Sequence, residues 1–248
     1  MNKFKVLIAV LILALSIAGA YFIISNYDSF IPENKNTSTE TSGNNPVGIE
    51  PITNSNLNLT ELLAQKMEER IGEQNTSGFQ TLDGKTLISA PDPKVLVEEL
   101  IAEAEKNFDP EALRGKVDES RIKTSEDISA ESISKYFNSF SQIMINATKD
   151  MPEYMSEPEK LTISDYGKIR DAYASAVNNF YNLVAPESVL AFHKKEIELL
   201  TTKRNVFGVI ANAEEDPMTA FLAVDMLLII DQEFDKLKED ITSFLKTI

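Results

Sequence analysis

The sequence predicts an all-α protein: an N-terminal transmembrane helix, a flexible stalk and an antiparallel helical bundle. Three observations lead there. Leu, Ile, Ala, Glu and Lys are abundant, tryptophan is absent and only nine glycines occur in 248 residues, a balance that favours helices over an all-β fold. Beyond residue 58, apolar residues recur at helical spacing in one segment after another. Before it, Val6 to Ser25 carry no charge and give way to a polar tract.

The apolar run is about 20 residues, which at helical rise spans roughly 30 Å, the thickness of one bilayer core. Ala18-Gly19-Ala20 would suit signal peptidase, with Val6 to Ile17 as a shorter apolar region before it. The run continues through Tyr21, Phe22, Ile23 and Ile24, however, which favours an anchor that stays over cleavage after Ala20. Lys3 and Lys5 precede the run, while Asp28 and Glu33 come before the first cation after it. The positive-inside rule then puts the N-terminus in the cytoplasm and the rest outside. Residues 1–25 form the anchor, 26–57 a linker rich in Asn, Ser, Thr and Pro that cannot bury enough surface to order itself, and 58–248 an extracytoplasmic helical domain.

Within that domain, Asn58 and Glu61 suit an N-cap and its capping-box partner for a helix from Leu59 to Ile71. Asp83-Gly84 suits a small hairpin between Phe79–Leu82 and Lys85–Ile88. Asp92, Asp109 and Asp216 each precede a proline, the pattern of an N-cap followed by Pro in the first turn. They are expected to be helix caps, starting a helix to about Phe108, a short helical piece, and the last helix. Ser129 or Asp127 is expected to cap a helix to Lys149. Residues 150–160 read as a loop, Ile163 to Leu183 as a helix, and Pro186 to about Ala213 as another. The last helix carries Ala223, Leu227, Ile230, Phe234, Leu237, Ile241, Phe244 and Ile248 at alternating spacings of four and three, a heptad seam. A core helix of an antiparallel bundle explains that seam better than an intermolecular coiled coil. Its first half is also apolar on the other side, at Phe221, Leu222, Leu228 and Ile229, which predicts a central position. The short connection to the preceding helix predicts an antiparallel hairpin. Arg204 then falls level with Asp225, and a register-fixing ion pair between them is expected.

The search for chemistry is brief. There is no cysteine, hence no disulfide, thiolate metal site or thiol nucleophile. The single histidine, His193, shares a stripe with Leu190, Ile197, Leu200 and Phe207. His193 and Glu196 lie one turn apart, but a metal site wants more ligands, so His193 is expected to be a half-buried structural residue. No nucleophile elbow, phosphate loop, dinucleotide fingerprint or calcium loop is present. The chain carries −15 at neutral pH, and residues 1–25 hold Lys3 and Lys5 and no acid, so the exported part carries −17. That charge opposes nucleic-acid binding.

From about Lys123 onward, "KTSEDISAESISKYFNSFSQI", "YNLVAPESVLAFHKKEIELL" and "EEDPMTAFLAVD" set out an aromatic helix, a Pro-started helix with a histidine one turn in, and an Asp-Pro-started helix. In this the chain resembles a family of single-pass membrane proteins with helical ectodomains, encoded by bacteria of reduced genome. The resemblance covers about residues 123–248. It implies bacterial membrane anchoring and an external helical domain; it implies no activity, and no functional residue carries over.

These readings predict a non-enzymatic envelope component without a cofactor, attached to the membrane through residues 6–25 and binding a protein partner. The alternatives are a secreted or anchored carboxylate-dependent hydrolase, and a small-ligand or lipid carrier with a cavity in the bundle core.

Overall fold

The computed structural model describes residues 58–75, 80–82, 85–87, 92–149 and 161–247. The expected membrane helix, the linker and the loop at 150–160 lie outside the described residues. No helix among the described residues is long and apolar enough to cross a membrane. Six α-helices follow one another: α1 Leu59–Gln74, α2 Pro93–Asn107, α3 Ala130–Lys149, α4 Ile163–Asn182, α5 Leu190–Ala211 and α6 Pro217–Leu245.

Local chemistry explains most helix starts. Asn58 Oδ1 accepts from Glu61 N at 3.0 Å, and Asp92 Oδ1 from Lys94 N and Val95 N. Asp109 caps a 3-10 turn, Pro110–Leu113, through Glu111 N. Asp216 accepts from Thr219 N. All three Asp-Pro residues are therefore caps, each holding a backbone N–H that the helix itself leaves without an acceptor. At α3 the cap is Ser129, whose Oγ accepts from Ser132 N, while Asp127 holds Ser129 N one turn earlier. Thr162 and Asp165 make a reciprocal capping box at α4.

Strand content is small. β1 (Gln80–Leu82) and β2 (Lys85–Leu87) pair antiparallel, with Leu82 opposite Lys85, as the Asp-Gly turn predicts. A second pair departs from the sequence reading. β3 (Lys123–Ser125) and β4 (Val184–Pro186) form a short parallel ladder. Pro186 thus ends a strand instead of starting a helix, and α5 begins only after a 3-10 turn at Glu187–Val189. The ladder joins segments about 60 residues apart, and periodicity reports only near neighbours.

Helices α4, α5 and α6 are antiparallel neighbours. Phe180 meets His193 at one end of the α4–α5 contact and Tyr166 stacks on Phe207 at the other. Between α5 and α6, Phe192 meets Phe244 and Lys203 meets Asp231. The main core gathers Ile169, Val177 and Phe180 from α4, Ile197, Leu200 and Phe207 from α5, and Ala223, Ile230 and Leu237 from α6. The α6 seam from Ala223 to Ile241 faces this core, as expected, and Phe244 packs against a second cluster around Ile133 and Tyr136; Ile248 lies outside the described residues.

The expected central position of α6 does not hold. Leu228 is 67% exposed and Ile229 48%, so the second apolar face of α6 points outward at these two residues, while Leu222 nearer its start is buried and Phe221 half-buried. The central helix is α5, which buries eleven residues, among them His193, Glu196, Thr201, Thr202 and Asn205. Its buried face is partly polar, so it does not read as an all-round apolar helix. Gly115 shows how the chain reaches that face. Its N–H donates to Thr202 Oγ1 at 2.9 Å, and a Cβ there would lie 2.6 Å from Thr201 Cβ and closer still to the Glu198 carbonyl oxygen. Only a residue without a side chain lets the 113–115 backbone lie this close to α5.

Candidate functional site

The segment Ala191-Phe192-His193-Lys194-Lys195-Glu196 puts two ionisable groups one turn apart on the inner face of α5. His193 is fully buried and Glu196 is 2% exposed. His193 is therefore not the half-buried residue the sequence suggested. α3 covers it with Tyr136, whose hydroxyl lies 3.1 Å from His193 Nδ1, and the Phe180 ring of α4 packs at 5.9 Å. Phe137 and Phe140 close the shell around Tyr136.

This surrounding sets the charge states. Burial pushes the His193 imidazole down to about 4, so the ring is neutral at neutral pH. A Tyr136 hydroxyl donating to Nδ1 leaves the imidazole proton on Nε2. Burial also pushes the Glu196 carboxyl up to about 8, against a weaker downward pull from Lys203. The Tyr136 hydroxyl is raised by burial and then by Glu196. Neither His193 Nε2 nor Glu196 Oε1 has a hydrogen-bond partner among the described residues. A general acid or base must come within hydrogen-bond reach of the group it serves. Here both groups are buried, His193 beneath the rings of Tyr136 and Phe180, and each bears on the charge and stability of the core. As metal donors they are two, and a tetrahedral site takes at least three protein ligands; the described residues hold no group of three.

A second polar centre sits where α1 meets the α5–α6 turn. The Asp216 carboxylate caps its own helix through Thr219 N and Thr219 Oγ1, at 3.2 and 2.6 Å. It also accepts from Leu59 N, Thr60 N and Thr60 Oγ1 of α1, at 2.9, 3.1 and 2.7 Å. Thr60 Oγ1 in turn accepts from Met218 N, and Asn58 Nδ2 donates to the Glu215 carbonyl. One carboxylate thus caps two helices. Burial alone would raise its pKa, but the hydrogen bonds from Thr219, Thr60 and Leu59 outweigh that and hold it below the ordinary value.

No protein family, curated protein or solved structure matches the chain. The resemblance drawn above stands on its three quoted segments alone, and the site's meaning rests on its geometry.

Arg204 and Asp225, expected as an ion pair, lie on α5 and α6. Arg204 gives Nε and Nη2 to Asn205 Oδ1 on its own helix, at 3.1 and 2.8 Å, and its electrostatic neighbour is Tyr181 of α4. Asp225 lies on the exposed side of α6. The charges that tie α5 to α6 are Lys195 with Glu233 at 2.8 Å and Lys203 with Asp231 at 2.7 Å. Arg114, just after the Pro110–Leu113 turn, also reaches Glu233 of α6, at 2.6 Å. Arg204 lies nine residues beyond Lys195, about 180° around the helix, and so faces α4.

Of the residues at the two centres, Asp216 and Asn58 were expected as caps and His193 as structural. Tyr136 and Thr60 carried no sequence signal, since each acts only through a distant partner. Glu196 was visible only as the neighbour of His193. Shallow surface depressions lie elsewhere, along the polar faces of α3, at Glu131 and Lys135, and of α6, at Asp235 and Lys238.

Proposed function

We propose that this protein is a membrane-anchored, extracytoplasmic helical bundle that acts as a non-enzymatic binding or assembly component of the cell envelope. The observation that carries this reading is the sealing of the Tyr136–His193–Glu196 cluster. The side chains best suited to acid–base work are withheld from any substrate, while Leu228 and Ile229 stand exposed on an acidic molecule. Exposed apolar side chains on an external domain suit contact with another protein. In this reading residues 6–25 hold the chain in the membrane, N-terminus inside, and residues 26–57 give the domain reach. A flexible tract of that length spans about 30 Å root-mean-square.

The test uses full-length protein in bacterial cells, with a photo-crosslinking residue at position 228 or, as a control, at Lys168 on α4. The expected results are membrane fractionation, loss of a C-terminal tag to external protease, and a discrete crosslinked species from position 228 alone. A mature N-terminus at Tyr21 with the protein released would refute the anchor. Equal crosslinking from both positions would refute the binding face.

A further inference from the structure

We infer that Asp216 is the charge-dependent latch of a releasable N-terminal arm made of α1, the β1–β2 hairpin and α2. The geometry is a convergence. Two helix N-termini, of α1 and α6, meet at one carboxylate that takes donors from both. Each helix start carries about half a positive charge, so the two ends repel unless an anion lies between them. The ionised Asp216 supplies it, and Thr60 and Asn58 complete the joint through Met218 N and the Glu215 carbonyl.

Among the described residues, α1 buries Leu59 and Leu63, both within a turn of the latch, and α2 buries Ala104. No residue of α1 or α2 stands among the buried residues of the main core cluster. An element with few buried apolar contacts opens at lower cost than the core it rests on. The chain enters α1 through Asn58, so a pull or a partner acting on the segment before it loads the latch bonds first. The latch is independent of membrane attachment.

Amide hydrogen exchange on the full-length chain tests this, comparing wild type with Asp216→Asn and Thr60→Val. Asp216→Asn keeps the shape but removes the charge and turns an amide towards donors. Thr60→Val removes two latch bonds from the arm side. The expected result is that α1 and α2 of the wild type exchange through a smaller opening than α4 and α5, and that both variants lower the arm's protection at least tenfold. Arm protection equal to that of α4 and α5 in the wild type would overturn the latch, because the arm would then be part of one cooperative unit. Unchanged protection in the arm would overturn it too. If Asp216→Asn does not fold, Thr60→Val decides by the same two criteria.

Discussion

Replacing Glu196 by Gln should stabilise this protein, and by an amount that grows with pH. Glu196 is 2% exposed and its Oε1 has no hydrogen-bond partner among the described residues. The nearest cation, Lys203, is engaged with Asp231 at 2.7 Å. Burial raises the carboxyl from 4.5 to about 8 in the folded state. As pH rises above 4.5, the unfolded chain releases this proton while the folded chain must keep it. Stability therefore falls between pH 4.5 and 8 and is level above that. At 1.36 kcal/mol per pH unit the full cost is about 5 kcal/mol, of which about 3 kcal/mol is present at pH 7. Both are ceilings, since relaxation and water entry soften burial of a charge. Glutamine has nearly the same shape and no proton to lose. Urea unfolding of both proteins, followed by circular dichroism from pH 5 to 9, isolates the effect, because the other titrating groups cancel in the difference. The gain should be small at pH 5 and rise steadily to about pH 8. A variant less stable than wild type at pH 7, or a difference flat across the range, would refute the reasoning.

Gly115→Ala should cost about 1–3 kcal/mol, because its Cβ would lie 2.6 Å from Thr201 Cβ; an unchanged urea midpoint would show that the 113–115 segment can move aside. A double-mutant cycle on Arg114 and Glu233, 2.6 Å apart, should give about 1 kcal/mol of coupling; no measurable coupling would contradict the observed contact. On the acid side, Asp216 has a lowered folded pKa, so its contribution is present above 3.8 and is lost as pH falls through the lower, folded value. Asp216→Asn should accordingly flatten the acid limb of the unfolding curve, and an acid limb identical to wild type would argue against an ionised latch.

Much of the fold was legible along the chain, wherever cause and effect lie within one helical turn. The Asp-Pro caps, the α1 start at Asn58, the hairpin register and the inward seam of α6 all follow from residues within about four positions of one another. The tertiary structure decided which helix is central, and it chose α5. Polar residues on α5 find a place inside because Gly115 N–H, the Leu113 carbonyl and the Tyr136 hydroxyl meet Thr202, Asn205 and His193 there, whereas the more apolar α6 leaves Leu228 and Ile229 outside. It also decided that a cap at Asp216 should hold a second helix 157 positions away. A carboxylate capping one helix and a carboxylate capping two look identical in sequence, because the additional donors arrive only when the chain folds back on itself.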